Sequence, residues 1–263
     1  MAQEHPAALY VPDPGAAPLG RMIIAQATLE TRTLLRNGEQ LLLILIIPLL
    51  LLTAFSLESL INFGTGLSRI DFLTAGIIAL AVMSTAFTSQ AIATGFERRY
   101  GVLKRLGATP LSRGGLIAAK TVTVIGVELL QSALIIVIAL AIGWRPNASP
   151  AAIVTAPLLI LLGTAAFSGL ALLMAGTLRA EATLAAANLV YILLLGVGGV
   201  VFPLTKFPAG ARPVLELLPT GALSTGLRDV LQYGVAFPVG NTVTLAVWAV
   251  AAIALAARTF RWD

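Results

Sequence analysis

Residues 95–113 read GFERRYGVLKRLGATPLSR, a short basic stretch set between two long uncharged apolar runs. Five of the chain's 17 Lys and Arg residues fall in those 19 positions. Cations gathered between apolar runs mark a loop kept on the cytoplasmic side of a membrane. Val102, Leu103 and Leu106 recur at helical spacing with Lys104 and Arg105 between them, and Thr109-Pro110 supplies a stop. The pattern predicts a short surface helix built to dock on something. Topology alone, or attraction to anionic lipid headgroups, accounts for the cations but not for the leucine spacing or the stop.

The surrounding sequence agrees with a membrane setting. The chain is 58% hydrophobic and 11% charged, with a mean hydropathy of +0.93. A soluble globule carries roughly 25% charged residues, so this composition belongs to a polytopic membrane protein. Uncharged stretches of about 18 residues or more are long enough to cross the hydrocarbon core as helices, and six such runs are visible, the third with Glu128 inside it: 40–57, 72–96, 121–144, 151–178, 182–205 and 237–257. A closed barrel would show shorter alternating segments, so the expected class is all-α. With the N-terminus inside, 12 cations fall on the cytoplasmic face and five on the other, which places both termini in the cytoplasm.

Two segments are neither span nor plain loop. Residues 19–38 put Leu19, Met22, Ile23, Ala27 and Leu34 on one face, interrupted by Glu30, and Arg21, Arg32 and Arg36 on the other. This predicts an interfacial elbow helix leading into the first span, with a plain juxtamembrane linker as the alternative. Residues 203–238 are proline-rich and then moderately apolar, as expected of a re-entrant or surface helical pair on the outer side. Residues 1–18 hold four prolines and no apolar signal core, so a disordered cytoplasmic tail is expected before a single transmembrane domain from 19 to 263.

Most chemistries are excluded. There are no cysteines and one histidine, His5, so neither thiolate nor His-based metal sites can form. The aspartates Asp13, Asp71, Asp229 and Asp263 are too scattered for the clustered magnesium site of a membrane transferase. Residues 114–121, GGLIAAKT, come within one residue of a phosphate-binding loop, but they run straight into an apolar span with no strand before them. The net charge of +5 is spread over loops rather than gathered on one face, which argues against nucleic acid. Glu128 is the one ionisable residue well inside an expected span, with Gln131 near it and Asn188 on another span. Such a carboxyl is protonated, paired or turned to water, and it either bonds a neighbouring helix or lies on a transport path. An ion-coupled secondary transporter would ordinarily carry several intramembrane acids or paired broken repeats, and neither is visible.

The run Glu97-Arg98-x-x-Gly101-x-Leu103-x-x-Leu106-x-x-Thr109-Pro110 resembles the stretch after the second span in ABC-2 type permeases, the membrane subunits of type 2 ABC exporters, including daunorubicin-type antibiotic export permeases. The order of elbow, spans and broken outer segment extends the resemblance from about Leu19 to the C-terminus, and 217–228 is similar to the family's outer segment more loosely. The resemblance implies an exporter permease of a bacterial plasma membrane, moving a drug, lipid or similar amphipath. It implies that residues 97–110 form a coupling helix, with Glu97, Arg98, Gly101, Leu103, Lys104, Arg105, Leu106, Thr109 and Pro110 meeting an ATP-binding subunit. It further implies two copies of that subunit, which hold the ATP and magnesium, and a second permease, the same or a related chain, completing the path. No cofactor is then bound by this chain. Arg99, Lys104 and Arg105 stand where many relatives carry acids, which implies a more acidic docking cleft.

Overall fold

The computed structural model describes residues 15–57 and 67–259, and among them every regular element is a helix. The expected tail falls mostly outside the described residues. The chain opens with α1 (Leu19–Leu35), α2 (Gly38–Leu41), a π turn at Leu42–Ile46 and α3 (Ile47–Leu57). Next come α4 (Arg69–Val82), a second π turn at Met83–Ser89, α5 (Gln90–Arg99) and the short α6 (Val102–Gly107). Then follow α7 (Arg113–Ile142), α8 (Ala152–Thr177), α9 (Ala180–Val197), α10 (Arg212–Leu217), α11 (Pro219–Leu231) and α12 (Val239–Thr259).

Among the described residues five helices are long and apolar enough to cross a membrane: 69–99, 114–142, 152–177, 180–197 and 239–259. The first, α4 through α5, is the axis of the bundle. Ser68 caps it by accepting from the Asp71 N–H, and every residue from Phe72 to Ala91 is buried. A helix that is apolar or small all round can be packed on all sides. Small residues set the distance: a Cβ at Gly76 would strike the Val200 carbonyl, and one at Gly169 of α8 would lie 2.8 Å from Ala252 Cβ of α12. Close backbone approach is how membrane helices gain packing energy when lipid is as apolar as leucine. The pair α8–α12 is accordingly the most extensive contact in the bundle.

The span boundaries differ from expectation where local chemistry intervenes. Residues 38–57 are helical, but a π turn interrupts them and leaves 44–56 as a shorter apolar helix than the other five. Pro48 has no N–H to offer the carbonyl of Ile44 four residues back. The side-chain amide of Gln131 donates to that carbonyl instead. The expected span 182–205 ends at Val197, because Gly198 packs on Thr220 and Gly199 adopts φ +69°, a left-handed turn that stops the helix. The span expected from Thr121 begins earlier, at Arg113, since Lys120 is neutralised within the protein.

Of the segment 203–238, expected on the outer side, α10 has no buried residue, whereas α11 is buried among α4, α8 and α12. Its Arg228 lies with the guanidinium 3.8 Å from the Phe72 ring centroid and donates to the carbonyls of Phe72 and Gly199. Ser224 donates to the Gly198 carbonyl at 2.7 Å. The carbonyls that the glycine turn frees are therefore met by α11.

Candidate functional site

The end of the bundle that carries α6 is built around an ionic cluster. Lys120 of α7 is buried, and its Nζ lies 2.7 and 3.0 Å from the two carboxylate oxygens of Glu97 at the end of α5. Glu30 of α1 stands 3.4 Å away on the other side. The same α1 packs along α7, where Thr123 Oγ1 donates to the Ala27 carbonyl. One lysine thus ties together α1, the central helix and α7. A buried charge is tolerable when it is paired in this way.

The next two residues grip a different neighbour. Arg98 donates to the carbonyl of Leu178 at 2.5 Å, satisfying the C-terminal end of α8. Arg99 forms an ion pair with Glu181 in the first turn of α9, an end that favours an acid. After them Gly101 takes φ +67° and turns the chain into α6. Thr109 Oγ1 donates to the Leu106 carbonyl at 2.6 Å and finishes that helix, and Ser112 caps α7 by accepting from Gly115.

The residues expected to dock are therefore divided. Lys104, Arg105, Gly107, Thr109 and Pro110 are exposed, Tyr100 is 62% exposed, and Leu106 is half-buried. Leu103 is buried inside the chain and is unavailable as an outward knob. Glu97, Arg98 and Arg99 serve contacts within the chain rather than a free rim. Sequence reading missed Lys120 and Glu181. The signal for Lys120 was present, since a cation opening one apolar helix and an acid interrupting the apolar face of α1 are complementary faults.

The polar residues inside the bundle also separate. Gln131 receives a hydrogen bond from Thr85 at 2.7 Å and gives one to the Ile44 carbonyl, so it joins the two π turns. Glu128 meets Thr164 of α8, with Oγ1 and Oε2 2.6 Å apart, while its Oε1 has no partner. Asn188 sits half-buried on α9, whose chief neighbour is α5, and joins neither. Below the Glu128–Thr164 contact, α7 stands away from α8 and α12, and a cavity of about 480 Å³ fills the gap, with Leu103 and Lys120 in its lining. Residues 114–121 lie within α7, so the glycines there form no phosphate loop. No group of His, Cys, Asp and Glu able to hold a metal occurs among the described residues.

A family model described as ABC-2 type transporter matches residues 23–231. No curated protein matches the chain. The matched region includes Glu30, Glu97 and Lys120, all of α6, and α11 to its last residue.

Proposed function

Because the chain belongs to the ABC-2 type transporter family, whose model covers well over half of it, we propose that it is the permease subunit of an ATP-driven exporter, with α6 as the coupling helix. The ATPase site is then on a partner. In this reading two ATP-binding subunits drive a pathway formed by two permeases, and both termini are cytoplasmic. The helical stretch 38–57 makes a sixth crossing, and α1 lies along the membrane surface as an elbow.

One observation carries the reading of α6. The exposed basic helix is joined, through Glu97, Arg98 and Arg99 just before it, to three other parts of the bundle, and its own root is the central buried helix. A force applied to α6 thus reaches the axis of the protein rather than a loose loop. Leu106 supplies the apolar contact to the partner, and Lys104 and Arg105 orient it against an acidic surface. A solvated loop that merely obeys topology would not require this bracing.

The test is copurification of the ATPase with tagged permease, together with ATP turnover in nanodiscs. Leu106→Ala combined with Lys104→Glu and Arg105→Glu is expected to lower association by about tenfold or more, since an apolar anchor and two complementary charges are lost together. Membrane yield should stay at the wild-type level. Wild-type association and turnover in the triple variant would overturn the assignment. Orientation is tested separately, because the chain has no native cysteine. Ala148 and Ala108 are both exposed, and only Ala148→Cys should react with an impermeant maleimide in intact cells. Labelling of Ala108→Cys there would reverse the topology.

A further inference from the structure

The gap between α7 and the α8–α12 pair has the makings of a ligand site rather than a packing fault. Its volume of about 480 Å³ falls in the range of small-molecule pockets, roughly 300 to 1,000 Å³. Leu103, Leu116, Leu161, Leu172 and Ile253 give it an apolar body. Its back wall is different. Gln90 and Thr94 of α5 border the cavity, are 9% and 1% exposed, and present an amide oxygen and a hydroxyl with no hydrogen-bond partner. Buried polar atoms in folded proteins are nearly always satisfied, so two orphans on the wall of one cavity call for a partner from outside the chain. The mouth is accessible: Ile117 and Leu161 are 45% and 48% exposed.

The charge pattern narrows the class. Lys120 also lines the cavity, but Glu97 and Glu30 already hold its ammonium group. An anionic head would find no free cation there, and a cationic head would find no carboxylate among the residues that line the cavity. We propose that the cleft between α5, α7, α8 and α12 binds an uncharged amphipath, its apolar chain lying against the leucines and a hydroxyl or amide head bonded to Gln90 and Thr94. Only the source of the ligand, exported substrate or resident lipid, rests on the exporter reading.

The test uses the full chain in phosphatidylcholine nanodiscs without the ATPase, probed with a diazirine-bearing monoacylglycerol. Labelling is expected on peptides covering 90–94 and 161–172, saturable by monooleoylglycerol. Oleate and oleylamine should compete less well by about fivefold or more, since each places a charge in a site that cannot balance it. Gln90→Leu removes one acceptor and an orphaned polar atom together, and should weaken labelling about fivefold, the worth of one hydrogen bond. Ala165 and Ser168 line the cavity; Ala165→Phe should fill it and lower labelling by about tenfold, and Ser168→Leu is the gentler filling variant should Ala165→Phe fail to accumulate. Labelling that is not saturable, that ignores head charge, or that persists undiminished in the filled variants overturns the proposal.

Addition of the ATPase separates the sources. Turnover that rises with monooleoylglycerol over the labelling range, and shifts in Gln90→Leu, identifies an exported class. Saturable labelling with unchanged turnover identifies a resident lipid. Both outcomes uphold the site, and neither depends on α6 being the coupling helix.

Discussion

The two ends of the central helix are fastened by different means. At its start, Arg228 holds the carbonyls of Phe72 and Gly199 with its guanidinium over the Phe72 ring, and Asp71 accepts from the backbone N–H of Arg145. At its finish ion pairs predominate: Lys120 bridges Glu97 and Glu30 and Arg99 reaches Glu181, with a single arginine–carbonyl bond, Arg98 to Leu178, beside them. Backbone carbonyls lie at fixed points, so a planar guanidinium fitted to two of them admits one geometry. Lysine and glutamate stems are long and rotatable, so their pairs survive over a range of helix positions. The first end is a clamp and the second a set of tethers. The comparison teaches that long-stemmed ion pairs at the end that carries α6 tolerate a wider range of helix positions than the Arg228 fork does at the other.

The largest effect should follow from cutting the tethers at their shared point. Lys120→Ala leaves Glu97 and Glu30, 24% and 15% exposed at their side chains, facing each other without a cation. Removing one partner of a buried pair costs about 3 to 5 kcal/mol. Thermal melting in detergent or nanodiscs should fall steeply, and Lys120→Arg should recover much of the loss. A wild-type melting temperature in Lys120→Ala would break the comparison, because the end would then owe nothing to its ions.

Next in size is the clamp. Arg228→Met removes the donors to two buried carbonyls while keeping an apolar stem, and should cost about 2 to 3 kcal/mol. Arg228→Lys should rescue little, because a point charge cannot reproduce the fork. Full rescue by lysine would show that charge rather than geometry holds this end, and the two ends would become alike.

How far these ends were legible in the sequence differs for the same reason. The basic loop, the helical class and five of the six apolar spans followed from charge and hydropathy, which are properties of single residues and their neighbours in the chain. The ionic cluster did not, although both halves were visible as blemishes: Glu30 broke an apolar face and Lys120 fixed the expected start of a span. They cancel only in three dimensions. The leucine spacing misled in a related way, because positions 103 and 106 share one helix side, yet the chain's own bundle buries the first and leaves the second half out. The π turns are similarly hidden. Pro48 lacks the N–H that a regular helix needs there, but that Gln131 would supply the missing donor depends on a contact 87 residues away in sequence.

That contact lies between the two ends and gives an effect of middle size. Gln131→Leu deprives both Thr85 Oγ1 and the Ile44 carbonyl of their partner, for a cost of about 2 kcal/mol. Hydrogen exchange should quicken in 42–46 and 83–89 more than elsewhere. Uniform exchange across the bundle would mean that the π turns are not held through this residue.

The smallest effect is expected at Glu128, the acid that charge rules single out most strongly. Thr164 Oγ1 lies 2.6 Å from Glu128 Oε2 and 2.8 Å from the Ile160 carbonyl. A hydroxyl has one proton and serves one of those acceptors, so the second contact closes when Glu128 brings a proton of its own. Its other oxygen, Oε1, has no donor facing it, which is what a neutral carboxyl in an apolar setting can tolerate and a carboxylate cannot. Glutamine then reproduces the group, its amide donating where the acid hydroxyl did. Glu128→Gln should shift stability by about 0.5 kcal/mol or less, within the range of an innocuous substitution. Glu128→Leu, which leaves Thr164 its bond to Ile160, should also be mild. Melting temperature across pH 6 to 9 for the two variants and wild type decides the matter. A large loss in Glu128→Gln, confined to the higher pH, would mean that the wild-type group is ionised and paired, and that the middle of the bundle is fastened by charge as the α6 end is.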